Sequence, residues 1–326
     1  MATWDVGSQP GDDYPTISAA VAAVGSDTWL YIRNEVFTGG DFKSTGFRVH
    51  YLPHGDNPAG SRWVLNATGY SRGIYPTDFA TVISGGEIYG CSSHAIQPDG
   101  SSFWTTVRGC YLHDVGGSGF YMTGADCTVE ETIIGNVGGY GIYHAGDGFG
   151  ADTCLVYNTG SHGIAAATHG TGVSAISNST IYNATGSGFL RLGGFHSVIL
   201  RNTISAGNSQ WGFSDPGSLQ GASGCLGWDN GSGDFDGPGG GTHGDPAFVD
   251  AAGNDFRIGA ASLARGLGSA MSTPDIAGNP RPDPVTSAFD AGAYQYVVLP
   301  SGVIVPGRLI RNARDARGLR PPGGRA

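Results

Sequence analysis

Val107-Arg-Gly-Cys-Tyr-Leu-His-Asp-Val-Gly-Gly-Ser-Gly-Phe120 and Val129-Glu-Glu-Thr-Ile-Ile-Gly-Asn-Val-Gly-Gly-Tyr-Gly-Ile142 lie 22 residues apart, and their apolar, Asx and glycine positions coincide. Self-similarity at a fixed period decides a fold before any other feature does. The Gly-plus-apolar pair that closes each stretch recurs as Gly119-Phe120, Gly141-Ile142, Gly163-Ile164, Gly188-Phe189 and Gly212-Phe213, with Ala95-Ile96 one period earlier. A second apolar register precedes it at Leu112, Ile134, Val156, Ile181 and Ile204, and a third opens the units at Val107, Val129, Ile176 and Ile199. Three registers per 22 to 25 residues predict three short strands per unit.

Two residues past the second register stand Asp114, Asn136, Asn158 and Asn183. These residue types tolerate left-handed backbone and bond to their own turns. Two residues before it come Cys110, Thr132, Cys154, Ser179 and Asn202, all small, which predicts a tight inward position. Short β-favouring runs, glycine-rich corners and the lack of helical periodicity predict a solenoid of parallel strands, each coil burying its apolar face on its neighbours. Leucine-rich repeats share the period but need a leucine and asparagine pattern that is missing here.

Composition fits a folded chain, of one elongated domain or two compact ones. Of 326 residues 58 are glycine and 13% are charged, against about 7% glycine and about 25% charged in ordinary domains. The longest apolar runs fall short of the ~20 residues of a membrane span. The formal net charge of −10 opposes a nucleic acid or an anionic membrane as the main partner of the body. Residues 308–325 hold Arg308, Arg311, Arg314, Arg317, Arg320 and Arg325 against Asp315 alone, which leaves about −15 on the remainder. Such a basic tail is expected to dock on an acidic surface through Arg308, Arg311, Arg314 and Arg317.

Met1-Ala-Thr-Trp-Asp-Val has no basic stretch followed by an apolar run, so the reading expects no secretory signal and a protein made in the cytoplasm. Five cysteines without CxxC spacing fit a reducing compartment and are expected to be packing residues. The nine histidines have no zinc spacing, Gly116-Gly-Ser-Gly119 opens no helix, and neither a metal nor a cofactor is expected.

With these residues in view, the chain resembles right-handed parallel β-helix proteins of the pectate-lyase-like superfamily. Gly11-Asp-Asp-Tyr-Pro-Thr-Ile-Ser-Ala-Ala-Val-Ala-Ala-Val24, followed by Asp27-Thr-Trp-Leu-Tyr-Ile-Arg33, looks like the family's entry. That entry is a short capping helix, with Thr16 or Ser18 as N-cap and Gly25 as stop, and then the first strand. Three further segments are similar to the C-terminal part of many bacterial and phage-borne β-helix proteins, roughly DPxFVD…DFRL…SPAxxxG…DxxGNPRP…DIGAYEY. They are Asp245-Pro-Ala-Phe-Val-Asp-Ala-Ala-Gly-Asn-Asp-Phe-Arg-Ile258, Pro274-Asp-Ile-Ala-Gly-Asn-Pro-Arg-Pro282 and Asp290-Ala-Gly-Ala-Tyr-Gln-Tyr296. This chain departs from that pattern at Leu263, Ala291 and Gln295.

The expected fold is all-β, a right-handed parallel β-helix solenoid with a short N-terminal capping helix. Residues 1–50 are expected to form the cap and first strands, 51–220 the coils, 221–299 a glycine-rich loop and C-terminal segment, and 300–326 a basic tail. Val297–Pro306 reads as an extra strand or an arm.

Candidate sites follow from stacking. Arg108, Glu130 and Asp152 are expected on one outer face about 4.8 Å apart. Glu130 and Asp152 then form either the acid and base of a glycosidase or, with Arg108 offsetting Glu130, a solvated ladder. Tyr121 and Tyr143, followed by His144, form either a glycan platform or a stabilising aromatic ladder. Lyase chemistry in the superfamily uses calcium-binding carboxylates with a basic residue. Lys43, the one lysine, lies outside the repeat, and Arg191 and Arg201 show no acidic cluster in neighbouring coils, which disfavours that chemistry. Three functions stay in view. The first is a phage virion spike, fibre or head-decoration subunit, expected to be a homotrimer that meets other virion proteins through its tail and contacts host glycan. The others are a tail-spike-type polysaccharide depolymerase and a bacterial adhesin-like protein.

Overall fold

The protein is seen in a computed structural model that describes residues 2–44, 49–58, 60–77, 79–100, 102–168, 174–194, 198–215, 222–236, 240–270, 274–281 and 288–297. Among these, parallel strands of two to six residues stack into two sheets of ten strands (A and B) and one of six (C). Successive coils give sheet A the strands Thr105–Arg108, Cys127–Glu130, Phe149–Asp152, Ser174–Ser177 and Val198–Arg201. Sheet B takes Tyr111–Val115, Ile133–Val137, Leu155–Thr159, Thr180–Ala184 and Ile204–Ala206, and sheet C takes Phe120–Met122, Ile142–His144, Ile164–Thr168, Phe189–Gly194 and Trp211–Ser214.

Inward side chains stack in columns along the axis. Val107, Val129, Ala151, Ile176 and Leu200 form one. Phe120, Ile142, Ile164, Phe189 and Phe213 form another. Almost all are fully buried, and each large apolar side chain contributes roughly 1.5–3 kcal/mol by leaving water. The glycine before each sheet-C strand keeps the coils close. A Cβ on Gly141 would stand 2.5 Å from the Gly163 carbonyl oxygen, and one on Gly163 2.7 Å from that of Gly188.

Asp114, Asn136, Asn158 and Asn183 are left-handed, with φ of 50–54°. Asn158 Nδ2 donates to Asn136 Oδ1 (3.0 Å), and Asn183 Nδ2 donates to Asn158 Oδ1 (2.8 Å), so the corner is also an amide ladder.

The registers slip in one coil. Ile176 pairs with Leu200 and Ile181 with Ser205, so Ile199 and Ile204, expected in the inward registers, face outward. Ile204 is buried all the same, because the C-terminal segment packs over sheet B there. Asn202, expected at the small inward position, is the left-handed corner between sheets A and B (φ 50°) and donates to Asn178 Oδ1 (3.0 Å).

The N-terminal end of the solenoid is covered, though not wholly as expected. The helix Ile17–Ala23 is N-capped by Thr16, whose side chain accepts from the Ala19 N–H, and it ends with extended Val24 instead of stopping at Gly25. The described part of the glycine-rich region, 222–236 and 240–244, is not the loop that was expected. It carries Ala222–Ser223, Leu226–Trp228, Gly233–Asp236 and Thr242–His243, which add to sheets A, B, C and B. Glycines occupy corners here, Gly224 at φ 67° among them.

Beyond it, the antiparallel strands Phe248–Asp250 and Asp255–Ile258 lie on the outer face of sheet B, where Phe256 meets Tyr157 and Tyr182 at 5.3 and 5.1 Å. The C-terminal motif is a polar knot under this cover. Asp275 accepts from the Ala277 and Asn279 N–H groups, Arg281 Nη2 donates to the Ala293 carbonyl (2.8 Å), and Asp290 accepts from Gly266 N, Gln295 Nε2 and Tyr296 N, each at 2.7 Å. Residues 298–326, with most of the arm and Arg308, Arg311, Arg314 and Arg317, lie outside the described residues.

Candidate functional site

Sheet A presents its outward side chains in two columns. Arg108, Glu130, Asp152, Ser177 and Arg201 form one, and Thr106, Thr128, Gly150, Ala175 and Ile199 the other. The second column is small over four coils, and this opens a shallow groove of about 420 Å³ lined by Trp104, Thr106, Asp126, Thr128, Gly150 and Ala175.

Trp104 stands at the mouth of this groove, 61% exposed. It occupies the left-handed corner that leads into sheet A, φ 56°, where neighbouring coils place Ala80, Asp126 and Gly148. For a bulky residue that conformation costs about 1–2 kcal/mol, and such strain concentrates at ligand sites. Beside it, Phe79 and Phe103 stack at 5.3 Å with 6° between their planes. The sequence reading missed Trp104 because a single corner residue leaves no mark on a period. Its signal was a tryptophan where neighbouring coils use alanine, aspartate or glycine.

Glu130 and Asp152 are brought together as expected, register-paired in adjacent coils about 4.8 Å apart along the axis. Both have partners. Asn178 Nδ2 donates to Asp152 Oδ1 (2.8 Å), while Arg108 turns mainly to Glu131 (2.8 Å) and keeps only a 3.9 Å approach to Glu130. The offsetting charge is therefore shared with the next residue of the chain. The two carboxylates flank the groove, since Thr128 lies two residues before Glu130 on the same face.

The tyrosines of sheet C spend their faces on each other. Tyr121 and Tyr143 stack at 4.5 Å and 8°, His94 from the preceding coil stacks on Tyr121 at 4.5 Å, and Tyr140 leans on Tyr143 at 4.9 Å. A sugar would meet only ring edges and hydroxyls there, so the geometry favours the aromatic ladder. His144 is corrected outright. It alternates with Tyr143 and therefore points inward, 0% exposed, with Nε2 3.1 Å from the Gly124 carbonyl and its ring on Phe149. No glycan can reach it.

His94 and His162 have a structural task. Each Nδ1 accepts a backbone N–H from the next coil, Ser118 (2.9 Å) and Ser187 (2.8 Å), and burial pushes both imidazoles below their usual pKa. Arg191 also differs from expectation. Asp215 in the next coil lies 3.0 Å from its Nε, buried, with burial pushing the Asp215 carboxyl up. Arg201 shares a column with Asp152 two coils away. The five cysteines are free and buried, and burial holds Cys91 and Cys110 at about 11 and Cys154 and Cys225 at about 12, so they are inert packing groups.

The glycine-rich region that sequence reading took for a loop also lines a second cavity of about 380 Å³. There Asp234 bonds His243 Nδ1 (2.8 Å) and Asn230 Nδ2 (2.6 Å) beside half-exposed Trp228.

Residues 72–209 match the family described as the right handed beta helix region. This chain is a right-handed parallel β-helix. Among solved structures, pectate lyase Pel9A shares the fold over 90% of this chain and 96% of its own, at 16% identity and a TM-score of 0.59. A rhamnogalacturonan lyase shares it over 74% and 80%, at 14% identity and a TM-score of 0.52. No curated protein matches this chain. At these identities the likeness is one of fold, and the chemistry must be argued from the site.

Proposed function

We propose that the protein is a glycan-binding subunit of a phage particle, a spike, fibre or head-decoration component that holds polysaccharide in the groove on sheet A. One observation carries the binding: Trp104, exposed and held at φ 56°, closes a groove paved by small side chains over four coils. An indole face gives a sugar ring an apolar platform, and Thr106 with Thr128 adds hydroxyls, Thr128 donating to Thr106 at 3.1 Å. The particle setting is supported by the C-terminal motif, similar to that of bacterial and phage-borne β-helix proteins. Its partners are two further copies and neighbouring virion proteins, met through the basic tail, after synthesis in the host cytoplasm.

A second reading, depolymerisation, is favoured by one fact: Glu130 and Asp152 flank the groove in adjacent coils. Titration calorimetry and a reducing-end assay on one polysaccharide panel separate the two. Binding without new reducing ends supports a structural binder. Turnover that Glu130→Gln or Asp152→Asn abolishes, with the fold intact, establishes the hydrolase. Particle membership has its own test, co-sedimentation with phage at fixed stoichiometry, and a protein that stays in the supernatant overturns it.

A further inference from the structure

Sheet B carries an outward column that reads Tyr157, Tyr182, Ala206 and Trp228 in successive coils. The C-terminal segment occupies the rings of the first two, since Phe256 packs on both at 5.3 and 5.1 Å. Trp228 stands two coils further on, 43% exposed, and among the described residues no other ring meets its indole. It lines the cavity of about 380 Å³ at the last coil together with Asp229, Asp234 and His243. Asp229 takes the left-handed corner, φ 51°, that earlier coils give to Asn136, Asn158 and Asn183. Those asparagines bond to one another, whereas Asp229 follows Gly207 in the corner column, and among the described residues its carboxylate makes no hydrogen bond or ion pair. His243 is aimed by a network that crosses three coils. Asn208 Nδ2 donates to Asn230 Oδ1 (2.7 Å), Asn230 Nδ2 donates to Asp234 Oδ1 (2.6 Å), and Asp234 Oδ2 accepts from His243 Nδ1 (2.8 Å). A carboxylate only accepts, so the proton sits on Nδ1 and Nε2 of the neutral ring is left as an acceptor.

We infer that this cavity is a second saccharide site, taking one pyranose ring whose apolar face lies on Trp228 and whose adjacent hydroxyls donate to His243 Nε2 and the Asp229 carboxylate. Its volume lies within the range of small-molecule pockets. The imidazole is held in one tautomer and orientation before any ligand arrives, which lowers the ordering cost of binding. The cavity shares no lining residue with the groove on sheet A, and the inference does not rest on that groove binding glycan.

The test follows the indole signals of the full chain in a proton–nitrogen correlation spectrum, with those of Trp104 and Trp228 assigned from Trp104→Phe and Trp228→Phe. Glucose, galactose, mannose, rhamnose, N-acetylglucosamine and galacturonate are titrated at millimolar concentrations. At least one of these sugars is expected to shift the Trp228 signal saturably, with the same curve in Trp104→Ala. His243→Ala and Asp229→Gly each remove one acceptor from an exposed position, and glycine suits the left-handed corner. Each should weaken that titration about five-fold with the fold intact. A Trp228 signal that none of these sugars moves overturns the inference. So does a shift that Trp104→Ala abolishes, because Trp228 would then be reporting an event on sheet A. Movement of the Trp104 signal alone overturns it too, while leaving the groove a glycan site. An unchanged titration in both His243→Ala and Asp229→Gly overturns the assigned contacts and with them the site.

Discussion

Trp104 combines exposure with backbone strain, and the two are separable by substitution. Trp104→Gly relieves a left-handed corner that costs the indole about 1–2 kcal/mol, and this offsets the packing lost from the buried part of the ring. We predict an unfolding free energy within about 1 kcal/mol of the parent in denaturant melts, together with lost glycan binding. A large loss of stability would make Trp104 a structural corner and nothing more. Gln295 is the second informative residue. Its Nε2 donates to Asp290 Oδ2 at 2.7 Å, and burial already pushes the Asp290 carboxyl up. Gln295→Glu, which restores the residue usual in the similar C-terminal segments, sets two buried carboxyl groups side by side and raises both folded-state pKa values further. Groups raised on folding add stability while protonated and lose it as pH rises through their folded values. Thermal melts should therefore show the variant near the parent at about pH 4 and falling increasingly below it towards about pH 8. A gap that does not change with pH would contradict this geometry.

At the scale of the element, the repeating glycine and the repeating Asx corner were legible in the sequence because each solves a problem that recurs in every coil. A Cβ at Gly141 meets the Gly163 carbonyl oxygen at 2.5 Å, and backbone cannot step aside as a side chain can. Gly141→Ala should cost at least about 2 kcal/mol, read from the denaturation midpoint, with the neighbouring sheet-C strands losing amide protection first. Unchanged stability would mean that the coils stack more loosely than this. Legibility failed where an outward position was apolar for a reason outside the repeat. Ile204 reads as an inward register residue because the segment carrying Ile258 and Ala291 covers it, and neither shares its period. It failed again over residues 221–244, where glycine at corners was read as glycine in a loop. The candidate site was half legible. Stacking of Glu130 on Asp152 follows from a 22-residue spacing, whereas the groove arises from the small residues Gly150 and Ala175, which carry no chemical signal of their own.

Over the whole molecule, the solenoid joins its coils through side chains as well as strands, and this sets its response to acid. His94 and His162 each accept a backbone N–H from the next coil, and burial depresses both imidazoles, Arg72 adding to the effect at His94. A histidine depressed on folding contributes stability above its unfolded pKa of about 6.5, which is lost as pH falls through the folded value. Melting temperature should therefore drop between about pH 7 and pH 5, and His162→Asn, whose side-chain oxygen still accepts the Ser187 N–H, should flatten that drop. An unchanged slope would place the acid sensitivity elsewhere. Sheet A exposes its outward columns along the axis, with an indole at the head of the groove that the small residues leave. The most direct test of that arrangement is the affinity of the parent chain and of Trp104→Ala for the oligosaccharide that binds best, measured by titration calorimetry. The account predicts a loss of about ten-fold or more on removing a buried aromatic contact; equal affinities would contradict it and move the glycan site off sheet A.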